Sequence, residues 1–203
     1  MLENKKETGL YEAIEETELP GTMILIPRLI EDERGSFSET YNARALRAAG
    51  ISASFVQDNQ SFSRNAGTVR GLHFQTPPHA QAKLVRVVAG AVLDVAVDIR
   101  IGSPTFGKSA LVELSAENRR QFFIPEGFLH GFVTLTPNTE VAYKCTDFYS
   151  PACDRSVRFD DPDLGIDWGI TRDAAILSDK DRAAPRLKDI QNPFVHPHLE
   201  LQA

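Results

Sequence analysis

Between residues 54 and 146 the chain is a succession of short apolar runs broken by glycine and proline, and this spacing limits its fold more than any other feature. Residues 85–99 form one long β-rich stretch with Gly90 in the middle, which reads as two strands joined at a turn. G-S-P-T-F-G at 102–107 is a turn cluster, and further strands are expected at 109–114, 119–124, 131–135 and 141–146. Upstream, strands at 23–30 and 36–41 flank the turn D-E-R-G at 32–35. Many short strands at this spacing argue for a β-sandwich or barrel. The best helix candidate is 42–49, with Asn42 to cap it and Gly50 to end it, and it is too short to be the scaffold. From Asp160 onward Pro162, Pro185, Pro193 and Pro197 break the chain into loop and short helix. The expected organisation is one domain over 1–203: a polar leader at 1–20 with some helical character, a main body at 21–187, and a tail at 188–203.

Composition narrows the class of function. Hydrophobic residues at 42% and charged residues at 25% are ordinary for a globular protein. A net charge of −6 disfavours a general binder of nucleic acid or anionic membrane, since both need a basic field. It does not disfavour a small anion held by a local cluster of cations. Cys145 and Cys153 are the only cysteines, far too few for a disulfide scaffold. The charged N-terminus has no apolar signal-like core, and no run approaches the ~20 apolar residues of a membrane span. A cytoplasmic location is expected.

The chemistry concentrates in V-R-G-L-H-F-Q-T-P-P-H-A-Q-A-K-L-V-R at 69–86, where strand-forming residues carry Arg70, His73 and Lys83. Desolvating a cation is costly unless an anion meets it. These groups therefore either face solvent or line a polar cavity that suits an anionic ligand. Arg70 and His73 are three apart, so a regular strand sends them to opposite faces. They share a face only if the strand is locally bent, and Gly71 is the natural site for a bulge. Lys83 alternates with Val85 and Val87 and so joins an apolar row. Asp94 and Asp98 share a face opposite Leu93, Val95 and Val97, and Asp94 is the expected ion partner of Lys83. A buried pair that merely fixes register is the competing reading. In 141–146, Tyr143 falls on the apolar face with Val141 and Cys145. On spacing alone a core tyrosine with a satisfied hydroxyl is the favoured reading, as a structural histidine is for His73.

P-E-G-F-L-H at 125–130 fits P-x-G-x-x-H, the second half of the cupin signature, and places His130 among the candidates. Metal-binding cupins add a His-x-His pair and a downstream glutamate. Here Phe74 and Gln75 follow His73, and no glutamate lies between Glu39 and Glu113. The metal set is incomplete, and no metal is expected. His79, His196 and His198 carry no assigned role.

Nine motifs occur in order: D-E-R-G (32–35), F-V-Q-D-N (55–59), V-R-G-L-H-F-Q (69–75), Q-A-K-L-V-R (81–86), L-D-V-A-V-D-I-R (93–100), G-S-P-T-F-G (102–107), I-P-E-G-F-L-H-G-F (124–132), Y-K-C-T-D-F-Y-S-P (143–151) and L-S-D-K-D (177–181). Together they resemble the dTDP-4-dehydrorhamnose 3,5-epimerase family of the cupin superfamily, over roughly 21–187. The resemblance implies an all-β jelly roll, cupin-like, with a few short helices. It implies a homodimer with exchanged N-terminal strands, no cofactor, and a dTDP-sugar substrate. By the same resemblance, His73 is the general base, Asp181 its orienting carboxylate, and Tyr143 the acid on the opposite ring face. Lys83 lies near the developing enolate with Asp94 beside it. Arg34, Glu39, Gln57, Asn59, Arg70 and His130 fall among the substrate-binding positions, and Tyr149 matches an aromatic near the base. Gly169 after Trp168 departs from the proline often found there.

The chemistry fits those assignments. A C4 ketone acidifies the hydrogens on C3 and C5, so a base of near-neutral pKa can remove one and leave an enolate. Returning a proton from the other face inverts the centre. Fixed positive charge stabilises the enolate oxygen, and the ketone itself is the electron sink. Arginine suits the diphosphate through paired hydrogen bonds. Rival readings are a mono-epimerase at C3 or C5 alone, a 3,4-ketoisomerase, a non-catalytic sugar-nucleotide binder and a metal-dependent cupin oxygenase.

Overall fold

The structure is a computed structural model that describes residues 9–197. Thirteen strands are found among them: β1 (Tyr11–Glu16), β2 (Met23–Pro27), β3 (Ile30–Asp32), β4 (Gly35–Phe37), β5 (Gln57–Ser63), β6 (Val69–Gln75), β7 (Lys83–Ala89), β8 (Ala91–Asp98), β9 (Ser109–Ser115), β10 (Gln121–Ile124), β11 (Phe128–Thr134), β12 (Thr139–Cys145) and β13 (Asp154–Ser156). Helices are limited to α1 (Ala43–Ala48), α2 (Asp179–Arg182) and one 3-10 turn (Leu187–Asp189). The all-β expectation holds. Asn42 caps α1 as its position implied, its side chain accepting from the amides of Arg44 and Ala45.

Two sheets stack face to face. One runs β1-β2-β10-β7-β12-β5 and the other β13-β6-β11-β8-β9, while β3 and β4 form a separate hairpin. Gly90 does more than turn the chain, because β7 and β8 lie in opposite sheets. It takes φ +77°, and a Cβ there would run into the hydroxyls of Thr136 and Thr139. The polar-leader expectation is corrected at Tyr11–Glu16. Those residues are a strand paired with β2, and Tyr11 is buried with Leu25, Leu46 and Phe123 beneath α1. Residues 1–8 of that leader, and His198 with the end of the tail, lie outside the described residues.

Alternation along the strands builds three apolar layers. Val85, Val87, Phe122 and Val141 of one sheet meet Val92, Ala96, Val112 and Phe132 of the other between the sheets. The outer face of the five-stranded sheet packs Val69, Leu72, Phe74, Val95 and Leu129 against Phe159, Trp168 and Ala175 of the C-terminal segment. Trp168 anchors this segment, its indole N–H donating to the Phe159 carbonyl at 2.7 Å. A bridge from Thr68 to Ile176 then carries the chain to one end of the sandwich, where α2 lies. Among the described residues no helix is long and apolar enough to cross a membrane.

The expected bend in β6 is present. His130 pairs with His73 and Phe132 with Arg70, so two steps on β11 span three on β6. The extra residue restores common facing: Val69, Leu72 and Phe74 point into the outer layer, while Arg70 and His73 line a cavity between the sheets. Gly71 has φ +130°, and a Cβ on it would stand 2.6 Å from the Gly131 Cα. The reciprocal Cβ on Gly131 would meet the Arg70 carbonyl at 2.8 Å. Gly71→Ala is therefore expected to cost at least about 2 kcal/mol of stability, from backbone strain and a backbone clash together. Urea denaturation will measure it, and an unchanged midpoint would mean the strands can part without cost.

Candidate active site

The site is built on that bend. A cavity of about 420 Å³ opens between the sheets, lined by Arg70 and His73 on β6, Lys83 on β7, His130 and Phe132 on β11, Tyr143 on β12, and Ser178 and Asp181 at α2. The base candidate and the tyrosine come from opposite sheets, so they stand on opposite walls. A larger cavity of about 730 Å³ lies elsewhere, beside Phe106, Leu164 and Leu187, and holds none of the expected residues.

His73 and Asp181 are 108 positions apart in sequence, and their Nε2 and Oδ1 atoms are 2.5 Å apart. Asp181 is buried, with His73 more open toward the cavity. Burial pushes the Asp181 carboxyl up, but the His73 contact and the Ser178 bond outweigh it and hold it below the usual carboxylate range. Ser178 was not singled out from sequence. Its hydroxyl donates to Asp181 Oδ2 at 2.8 Å and accepts from the Asp181 amide at 3.1 Å, which caps α2 and fixes the carboxylate's orientation. The S-x-x-D spacing at 178–181 was the available signal. Gly169 leaves this placement intact, with its amide donating to Asp167 Oδ1 at 3.0 Å, a bond that proline could not make.

Lys83 is in the interior, where burial pushes its ammonium pKa down while the charges of Cys145, Asp94 and Asp154 pull it up. The expected direct Lys83–Asp94 pair is corrected. Asp94 is fully buried and its two oxygens each lie 3.0 Å from His130 Nε2. The cross-strand register explains this: Asp94 pairs with Phe132 and His130 with Ala96, so both side chains emerge on the inner face of neighbouring strands. Asp94 thus acts on Lys83 through its charge, without a direct ion pair. Burial likewise raises the Tyr143 phenol, which keeps it protonated as a donor.

Of the other expected residues Arg70 lines the cavity, and Gln57, Asn59 and Tyr149 lie outside its lining. Arg70 reaches the rim, its guanidinium donating to Ser63 Oγ at 3.2 Å and to the Phe62 carbonyl at 3.0 Å. Gln57 and Asn59 lie on β5 with Asn59 opposite Tyr143, and Gln57 donates to Asn59 Oδ1 at 3.0 Å. Tyr149 is 58% exposed, its amide donating to Gln57 Oε1 at 2.9 Å and its hydroxyl to Asp154 Oδ2 at 3.2 Å. Arg34 and Glu39 are not brought to this cavity. Arg34 projects from the β3–β4 hairpin into solvent and pairs with Asp32 at 2.6 Å, while Glu39 accepts from Asn42 at 3.0 Å. Among the described residues no three His, Cys, Asp or Glu side chains cluster as metal ligands.

A jelly-roll-like sandwich with a histidine–carboxylate pair on one wall, a tyrosine on the other and cations between is a site able to move protons across an anionic ligand. The comparisons with known proteins agree on its kin. The family model described as dTDP-4-dehydrorhamnose 3,5-epimerase matches residues 16–189, and the chain belongs to that family. The dTDP-4-dehydrorhamnose 3,5-epimerase of Methanothermobacter thermautotrophicus is 50% identical over 167 residues, covering 82% of this chain and 89% of its own. The Bacillus anthracis enzyme of that name, solved with TDP and PPi bound, is 49% identical with a TM-score of 0.83, covering 86% of this chain and 98% of that one. A Legionella pneumophila dTDP-6-deoxy-D-glucose-3,5-epimerase, solved with dTDP-4-keto-L-rhamnose, is 47% identical with a TM-score of 0.85, covering 90% and 98%.

His130 gives a direct test of the electrostatics. Burial pushes its pKa down, more than Asp94 pulls it up. A folded-state pKa below the unfolded value of ~6.5 means the neutral ring is favoured by folding, and stability is lost as pH falls below that value. The 15N ring shifts of His130 are expected to stay those of neutral imidazole at pH 6, where exposed histidines are largely protonated. Imidazolium shifts at that pH would overturn this picture.

Proposed function

We propose that this protein inverts C3 and C5 of dTDP-4-dehydro-6-deoxy-D-glucose to give dTDP-4-dehydro-L-rhamnose. The observation that carries the reading is the His73–Asp181 pair on one wall of the cavity with Tyr143 on the other. Inversion needs removal of a proton from one face and delivery to the opposite face, and this is the geometry that separates the two tasks. His73 takes the C3 proton, its far nitrogen held by the Asp181 carboxylate, which stabilises the imidazolium that forms. The electron pair moves into the C4 carbonyl as an enolate, and Lys83 supplies the adjacent positive charge. Tyr143 returns a proton from the other side and is reprotonated from solvent, His73 releases the C3 proton to solvent, and the cycle repeats at C5. No cofactor is needed, because the ketone accepts the electrons and returns them.

Arg70 and His130 hold the diphosphate and sugar at the mouth, with Gln57, Asn59 and Tyr149 taking the nucleoside. Arg34 and Glu39 act on a second copy of the chain. The hairpin that carries Arg34, with Glu39 just beyond it, stands apart from both sheets, and its exposed Ile30 and Phe37 offer a surface for a homodimer with exchanged N-terminal strands. A cytoplasmic setting fits two buried free thiols, Cys145 and Cys153.

With substrate in D2O, mass spectrometry and NMR are expected to find deuterium at both C3 and C5. Label at one carbon would make this a mono-epimerase, and no label with dTDP still bound would make it a binder. His73→Ala is expected to lower turnover by about three orders of magnitude with dTDP affinity within a few-fold. Lost binding would make His73 structural. Tyr143→Phe is expected to suppress inversion more than deuterium uptake, and equal loss of both would remove Tyr143 from the acid role.

A further inference from the structure

At the end of β6, two residues beyond His73, one buried side chain outside the proposed catalytic set uses its whole amide on two loops. Gln75 ends β6 and is 5% exposed. Its Nε2 donates to the His79 carbonyl at 2.7 Å and to the Phe148 carbonyl at 3.1 Å. Its Oε1 accepts from the Ser150 amide at 2.7 Å. The two bonds to the second loop fall on the residues immediately before and after Tyr149. That tyrosine is exposed, and its own amide is tied only to Gln57 Oε1.

We infer that Gln75 is a positioning residue for substrate binding: it clamps the backbone on both sides of Tyr149 and holds that ring where the nucleobase stacks. The inference rests on the proposed role of Tyr149. An exposed loop residue has little packing to fix it, so apart from the bond of its hydroxyl to Asp154 the direction of Tyr149 depends on the backbone beneath. A glutamine suits the task because it offers two donors and an acceptor in one plane. Leucine fills similar space with neither, and glutamate keeps the acceptor while setting a carboxylate against two carbonyls. The neighbouring contacts extend the clamp. Gln81 Nε2 donates to the Asp147 carbonyl at 2.7 Å, and His79 Nδ1 lies 3.0 Å from Asp147 Oδ2, so further bonds tie the 76–81 loop to the 147–150 loop.

Fixing an aromatic for a remote part of the substrate contributes equally in ground and transition states, so its loss shows in KM and not in kcat. Steady-state kinetics on dTDP-4-dehydro-6-deoxy-D-glucose for the full chain test this, with Gln75→Leu, Gln75→Glu, Tyr149→Ala and the Gln75→Leu/Tyr149→Ala pair. The expected result is KM raised about tenfold in each Gln75 variant with kcat within twofold, a similar rise in Tyr149→Ala, and no further rise in the double variant. Gln75→Glu carries the test if Gln75→Leu does not fold. An unchanged KM in the Gln75 variants, with Tyr149→Ala raised, overturns the clamp and leaves Tyr149 in place. Multiplying effects in the double variant overturn it as well, as does a fall in kcat at constant KM, which would assign Gln75 to His73 two residues away. An unchanged KM in Tyr149→Ala removes the role on which the inference rests, and the inference with it.

Discussion

The close approach of β6 to β11 at Gly71 and Gly131 is the constraint on which the site depends. Two backbones with no Cβ between them allow three residues of one strand to span two of the other. Without that extra residue, Arg70 or His73 would point into the apolar layer beneath the C-terminal segment. With it, Arg70 and His73 share one face, and Leu72 still fills the layer behind them. Packing and function are satisfied by the same irregularity.

The interior follows a simple division. Its closed part is apolar, with Val85, Val92, Phe122 and Leu114 packed between the sheets. Toward the mouth the same rows of inward positions change to Lys83, Asp94, His130 and Tyr143. Each of these is polar or ionisable where burial is costly, and each is either paired or exposed to the cavity. The His130–Asp94 contact meets part of that cost in the wall, so that Lys83 can stay unpaired at short range and available to a ligand. A net charge of −6 for the whole chain hides this local arrangement completely.

How much was legible in the sequence depended on the range of the interaction. Alternation is local, so the inward facing of Tyr143 and Lys83, the Asn42 cap and the bend at Gly71 could all be read from a few neighbouring residues. The His130–Asp94 pair could not be, because two aspartates and two basic groups compete for partners across strands, and register decides between them. The strand at Tyr11–Glu16 was missed because its charged residues mask Tyr11 and Ile14, which gain their place only once β2 presents an edge. Alternation likewise could not join His73 to Asp181. The family resemblance supplied that link, and the docked Trp168 segment is its physical cause.

The distance along the chain between His73 and Asp181 sets an order of events during synthesis. The ribosome delivers Asp181 108 residues after its partner, which at about 5–20 residues per second is roughly 5–20 s. Until the C-terminal segment is made, the outer face of the five-stranded sheet has no cover and His73 has no carboxylate partner. Activity and the burial of that face therefore arrive together, when the C-terminal segment docks.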